Sequence, residues 1–118
     1  MDRVPITRIG KTLMVSIQIE LQDQSVLQLQ EDLADQIVST GATGVIIDIS
    51  AVEIVDSFIG RTLSTIGAMS QLFDADTVLV GMRPAVAITL VELGLSLGGV
   101  RTALTAEHGL RLLSEDRS

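Results

Sequence analysis

Residues 44–50 read GVIIDIS, and this run limits the possible folds more than any other part of the chain. Val45, Ile46 and Ile47 are consecutive and β-branched. In a strand, successive side chains point to opposite faces, so such a run is apolar on both sides. A strand of that kind must be covered twice. Parallel sheets with packed helices provide this cover, whereas one-sided antiparallel sheets do not.

Segments with helical spacing supply the cover. From Asp23 to Thr40, Val26, Leu29, Leu33 and Ile37 recur at steps of three and four. Ser25-x-x-Gln28 reads as a capping box, with Asp23 as an alternative cap, and Gly41 stands where a left-handed terminator belongs. A second helix is predicted from Ser57 to Phe73, with Ile59, Leu63, Ile66 and Phe73 on its buried side. DTVLVG, from Asp76 to Gly81, is the next strand. Pro84 then sits at a first helical position, before a stripe of Val86, Leu90 and Leu93 that Gly94 ends. Val100 to Leu104 is a short strand, and Thr105 caps a last helix carrying Leu110 and Leu113.

The beginning of the chain reads differently. Leu13, Val15, Ile17 and Ile19 alternate with Met14, Ser16, Gln18 and Glu20, giving a strand with one dry face. VPITRIG precedes it as a short strand turning at Gly10-Lys11, with Pro5 suited to an edge. The order is ββαβαβαβα. This is one α/β domain spanning residues 1–118, with a mixed, mostly parallel sheet and helices packed on it. Its ordered core is expected over 4–113, with a frayed tail at 114–118.

Charge and composition narrow the function. The net charge is −7, with Lys11 the single lysine, so nucleic acid and anionic membrane are poor partners. There is no cysteine, which excludes disulfides and thiolate metal sites. No signal peptide or bilayer-spanning run is apparent, so a cytoplasmic location is expected. His108 falls in the first turn of the last helix as a structural residue, and no metal site is expected. A Ser57–Asp56–His108 triad is formally possible, but VDSFIG is not a G-x-S-x-G elbow. GATG and LGLSLGG lack phosphate-loop spacing, so neither argues for a nucleotide cofactor. Asp48 and Asp56 would need a late lysine to form a receiver-type phospho-acceptor, and none follows Lys11.

Asp56-Ser57 remains, at the junction of an apolar run and a helix. Two readings stay open. Asp56 or Ser57 caps the helix, or Ser57 is displayed on a rigid mount for modification by another protein. In the second reading the added anion faces the positive end of the helix dipole, so the fold tolerates it while a docked partner does not. Arg61, one turn on, would pair with a phosphate, pair with Asp56 or stay solvated. Gly60 and Gly67, seven residues apart, leave a small-residue face for close approach by the domain's own sheet or a second copy. Exposure of Met14, Phe58 or Met69 would favour the second copy.

The segment VIIDISAVEIVDSFIGRTL resembles the STAS domain of anti-sigma factor antagonists. LMVSIQIELQDQ, LQEDLADQIVSTGATGVIIDIS and GMRPAVAITLVELG narrow the likeness to the small scaffold branch of the bacterial stressosome, over about Ile6 to Leu113. The resemblance implies a single STAS domain that is not an enzyme. It implies phosphorylation at Ser57 with Asp56 as its acidic neighbour, while position along the chain places Phe58 and Arg61 beside that switch. The implied partners are a switch-type serine kinase held inactive, a STAS sensor paralogue, a resetting phosphatase and a homo-dimer mate. Phe58-Ile59-Gly60 departs from the small residue and glycine that follow the pair in many simple antagonists. No sensory domain precedes the STAS segment, so the sensor paralogue itself is not expected. Two alternatives go with this reading: a stand-alone antagonist of one anti-sigma kinase, or a small-ligand or nucleotide-binding STAS module.

Overall fold

The computed structural model describes residues 4–17, 23–94 and 100–117. Its elements follow the predicted order: β1 (Ile6–Ile9), β2 (Thr12–Ser16), α1 (Asp23–Thr40), β3 (Gly44–Asp48), α2 (Ser57–Leu72), β4 (Asp76–Val80), α3 (Pro84–Glu92), β5 (Val100–Ala103) and α4 (Ala106–Arg117). The five strands form one sheet in the order β1-β2-β3-β4-β5. β1 and β2 are antiparallel, with Ile9 opposite Thr12 across a two-residue turn. Gly10 sits at φ 60° in that turn, a conformation cheap only for glycine. The other neighbouring pairs are parallel.

Strand order and helix placement follow from one rule. Right-handed crossovers that advance steadily across a sheet put every intervening helix on the same face. Leu29, Leu33 and Ile37 of α1, Leu63 and Ile66 of α2, and Val86 and Leu90 of α3 accordingly share one core with Leu13, Val15, Val45, Ile47 and Leu79. α4 follows the last strand and lies on the other face. Its Leu113 packs with Ile46, Val78 and Val80. The two-sided burial expected for β3 is therefore present, and Val45, Ile46 and Ile47 are each fully buried. At roughly 1.5–3 kcal/mol per buried aliphatic side chain, these central strands hold the layers together.

Several predictions of detail change. Phe73 and Leu93 are not on buried stripes: each is a C-cap residue, 44% and 42% exposed. The stripe holds only where a helix still lies over the sheet, and both positions lie beyond it. Ser25 lies inside α1 and is buried, so it opens no capping box. Gln18, Ile19 and Glu20 of the predicted second strand lie outside the described residues.

Other details agree. Gly41, at φ 69°, ends α1 with its N–H donating to the Ile37 carbonyl. Thr105 Oγ1 accepts from the His108 N–H at 3.1 Å, capping α4. His108 itself is half-buried.

The small-residue face of α2 meets the domain's own sheet. A β-carbon on Gly67 would overlap the Val100 side chain of β5. Met14, Phe58 and Met69 are half-buried, so none adds an exposed patch in favour of a second copy. Alanine at Gly67 should gain up to about 1 kcal/mol of helix propensity. We expect the overlap to outweigh that gain, for a net loss of about 1–2 kcal/mol in urea unfolding. Removing the obstacle with Val100→Ala in the same chain should recover part of the loss, measured as a double-mutant coupling.

Candidate functional site

The carboxyl ends of β3 and β4 meet two loops. One, residues 49–56, leads into α2; the other, residues 81–83, leads into α3. In open α/β sheets with parallel strands this edge collects the functional loops.

The first loop leaves β3 at Asp48, whose Oδ1 accepts from the Ser50 N–H at 2.9 Å. This acid is thus occupied in shaping the turn. The Ile49 N–H donates to the Val80 carbonyl at 3.0 Å, and the Val52 N–H donates to the Ile49 carbonyl. Val55 is buried and anchors the chain just before the helix. Glu53 is exposed, and so is Ile54, at 87%.

Asp56 is the N-cap of α2. Its backbone is extended, at φ −104° and ψ 178°, and its side chain accepts from the Ile59 N–H at 2.9 Å. Of the two cap readings, the carboxylate takes the role, which leaves the Ser57 hydroxyl outside it. Ser57 is the first residue of the helix and is half-buried, so its oxygen is not sealed in the core. Among the described residues, the N–H groups of Ser57 and Phe58 have no acceptor in the protein. These are the ordinary orphan donors of a first helical turn, and they carry the positive end of the dipole. Phe58 is half-buried, and its carbonyl accepts from Thr62 Oγ1 at 2.8 Å. Arg61 is exposed and, among the described residues, is not paired with Asp56.

The predicted group therefore lies at one end of the sheet, with Asp56, Ser57 and Phe58 at the start of α2 and Arg61 one turn on. His108 belongs to the first turn of α4, on the opposite face, and no hydrogen bond links it to Ser57 or Asp56. The triad arrangement is not present.

Two residues beside this group escaped the sequence reading. Ile54 lies in a loop with no periodicity, so nothing marked it as exposed. Arg83 of the second loop donates from Nε to the Ser50 carbonyl at 3.0 Å, across 33 residues of sequence.

Comparison with known proteins agrees with this architecture. The STAS domain family matches residues 3–105. The chain is similar to a serine-to-glutamate variant of RsbS from Moorella thermoacetica, at 43% identity and a TM-score of 0.87 over 98% of both chains. A chain from a structure of the stressosome, described as a signal integration and transduction hub, matches at 43% identity and a TM-score of 0.85. That match covers 96% of this chain and 98% of the other. The RsbT co-antagonist protein RsbRA of Bacillus subtilis is 31% identical over 75% of this chain. This chain spans 32% of that relative's length.

Replacing Asp56 with alanine removes the cap. A loss of about 1 kcal/mol is expected, seen as a fall in thermal midpoint of about 4 °C. Asp56→Asn should retain most of the stability, because its amide oxygen can accept the same hydrogen bond.

Proposed function

The chain belongs to the STAS domain family, and from that premise we propose that it is a non-enzymatic scaffold of a stressosome-type assembly. In this reading it sequesters an RsbT-like switch serine kinase and releases it when Ser57 is phosphorylated. Similarity across nearly the whole chain to RsbS and to a stressosome chain supports the scaffold role. Similarity to an RsbT co-antagonist supports the choice of kinase. One observation carries the switch: Ser57 is half-exposed on the first turn of α2, beside a cap already supplied by Asp56.

The physical logic is local. A phosphate adds close to two negative charges and three acceptor oxygens. The orphan N–H groups and dipole of α2 stabilise an anion at this end, so the fold accommodates it. A partner docked against Glu53, Ile54, Asp56 and Phe58 meets a different surface: beside two carboxylates, a third anion replaces a neutral hydroxyl. Modification then alters binding and leaves the core intact.

The wider assembly belongs to the same proposal. An RsbR-like STAS sensor paralogue co-assembles with the chain, an RsbX-like phosphatase resets Ser57, and STAS contacts pair two copies. The whole operates in the cytoplasm. The net charge of −7 disfavours nucleic acid and anionic lipid as partners. Among the described residues no helix is long and apolar enough to cross a membrane.

Pull-down of the kinase tests the switch. Ser57→Ala should retain the kinase at wild-type level, and Ser57→Asp should retain clearly less while unfolding at an unchanged midpoint. Equal retention by both variants would refute it. Size-exclusion chromatography with the sensor paralogue tests the scaffold role. A megadalton-scale particle is expected, whereas a small complex with the kinase alone would point to a stand-alone antagonist.

A further inference from the structure

We propose that Arg83 is a positioning residue for Ser57, acting by tethering the loop that delivers the serine. The inference rests on the reading of Ser57 as the phospho-acceptor and adds to it a second loop.

The loop of residues 49–56 is held by backbone and core at its first turn and its end: the Ile49 N–H donates to the Val80 carbonyl, the Val52 N–H donates to the Ile49 carbonyl, and Val52 packs partly buried against the core. Asp48 Oδ1 holds the Ser50 N–H at its start, and buried Val55 holds its end. Between them Glu53 and Ile54 project into solvent. Arg83 reaches in from the β4–α3 connection and donates from Nε to the Ser50 carbonyl at 3.0 Å. Among the described residues no other side chain from outside β3 and α2 bonds to this loop.

The two loops are also fitted together. Gly81 has φ 75°, and a β-carbon there would stand 2.8 Å from Ser50 Cβ and 3.2 Å from Asp48 Oδ1. The absence of that carbon lets the second loop close onto the first. Pro84 fixes the backbone just after Arg83 at the start of α3, so the guanidinium projects from a stiff base. Arg83 is itself exposed and anchors no core. Its hydrogen bond therefore orders the loop without supporting the fold.

Phosphoryl transfer needs the Ser57 Oγ held in line with the γ-phosphorus of ATP. There the new O–P bond forms as the bond to ADP breaks, and the serine proton passes to a base on the kinase. Ser57 itself stands on the core-footed first turn of α2, and in this proposal the loop before it is the surface the kinase must grip to hold that geometry, so only its ordered fraction is a competent substrate. Loosening the loop lowers that fraction, which weakens apparent substrate affinity without changing the chemical step once the substrate is bound. Losing Arg83 should therefore raise KM for the protein substrate and spare kcat.

The test compares wild type, Arg83→Met, which keeps the stem and loses the donors, and Arg83→Lys, which keeps a donor and the charge. Amide hydrogen exchange is measured on the free domain, and Ser57 phosphorylation is measured with the RsbT-like kinase and ATP. Arg83→Met should speed exchange at Ser50 and Val52, whose N–H groups are bonded at the loop's first turn, and raise KM by about three- to tenfold, the range one partly solvated hydrogen bond controls. The kcat should stay within about twofold, and exchange in β3 and β4 should not change. Arg83→Lys should recover part of both losses. A raised KM with unaltered loop exchange would overturn the proposal, because Arg83 would then touch the kinase directly. Accelerated exchange throughout the sheet would overturn it too, by making Arg83 a support of the fold. Normal KM and exchange in Arg83→Met, with wild-type Ser57 phosphorylated, would refute this inference alone. Absence of phosphate on wild-type Ser57 would refute the parent reading as well, and the exchange result would still say whether the tether exists.

Discussion

The two-sided burial of β3 and β4 is the constraint from which the rest of the structure follows. Val45, Ile47 and Leu79 need one layer of helices, and Ile46, Val78 and Val80 need another. A chain with three crossovers of one hand can place α1, α2 and α3 only on the first side. α4 is left to cover the second. It does so closely: a β-carbon on Gly109 would sit 3.0 Å from Val80 Cγ1 and 3.4 Å from Ile46 Cδ1. Glycine at that position lets the last helix settle onto the strands.

The same constraint creates the site. Parallel strands that are dry on both faces leave their carboxyl ends as the place where loops reach solvent. Loop 49–56 and loop 81–83 emerge side by side there, and α2 starts from the first of them with Ser57. The mount is rigid because its footing lies in the core, through Val55, Leu63 and Ile66. The hydroxyl is accessible because Asp56, rather than Ser57, satisfies the helix start. The helix cap and the proposed phospho-acceptor are thus adjacent residues with separate purposes.

Periodicity and turn chemistry are local, and what depends on them was readable in the sequence. The β-branched run 45–47 set the sheet type. The stripes of α1 and α2 set the layer, and the glycines at 10, 41 and 94 marked turns where φ is positive. The Asp56-Ser57 pair stood out by its place at a strand-to-helix junction, and geometry then assigned the cap to the aspartate. Phe73 and Leu93 were misplaced because periodicity does not show where a helix runs off its sheet. Ser25 was read as a helix opener because its side chain suits that role, whereas the chain had already begun its helix. The Arg83 link to Ser50 had no local signature: it joins two loops that only the folded sheet brings together.

At the centre of the account is a serine whose modification changes the partners of the domain and spares its structure. Nuclear magnetic resonance of the domain before and after stoichiometric treatment with kinase and ATP tests this most directly, with the phosphate located by mass spectrometry. The account predicts one phosphate, on Ser57, with amide shifts concentrated in residues 50–61 and the core methyl signals of Val45, Ile47 and Leu79 unmoved. A phosphate on another residue, or a collapse of the core methyl dispersion on phosphorylation, would contradict it.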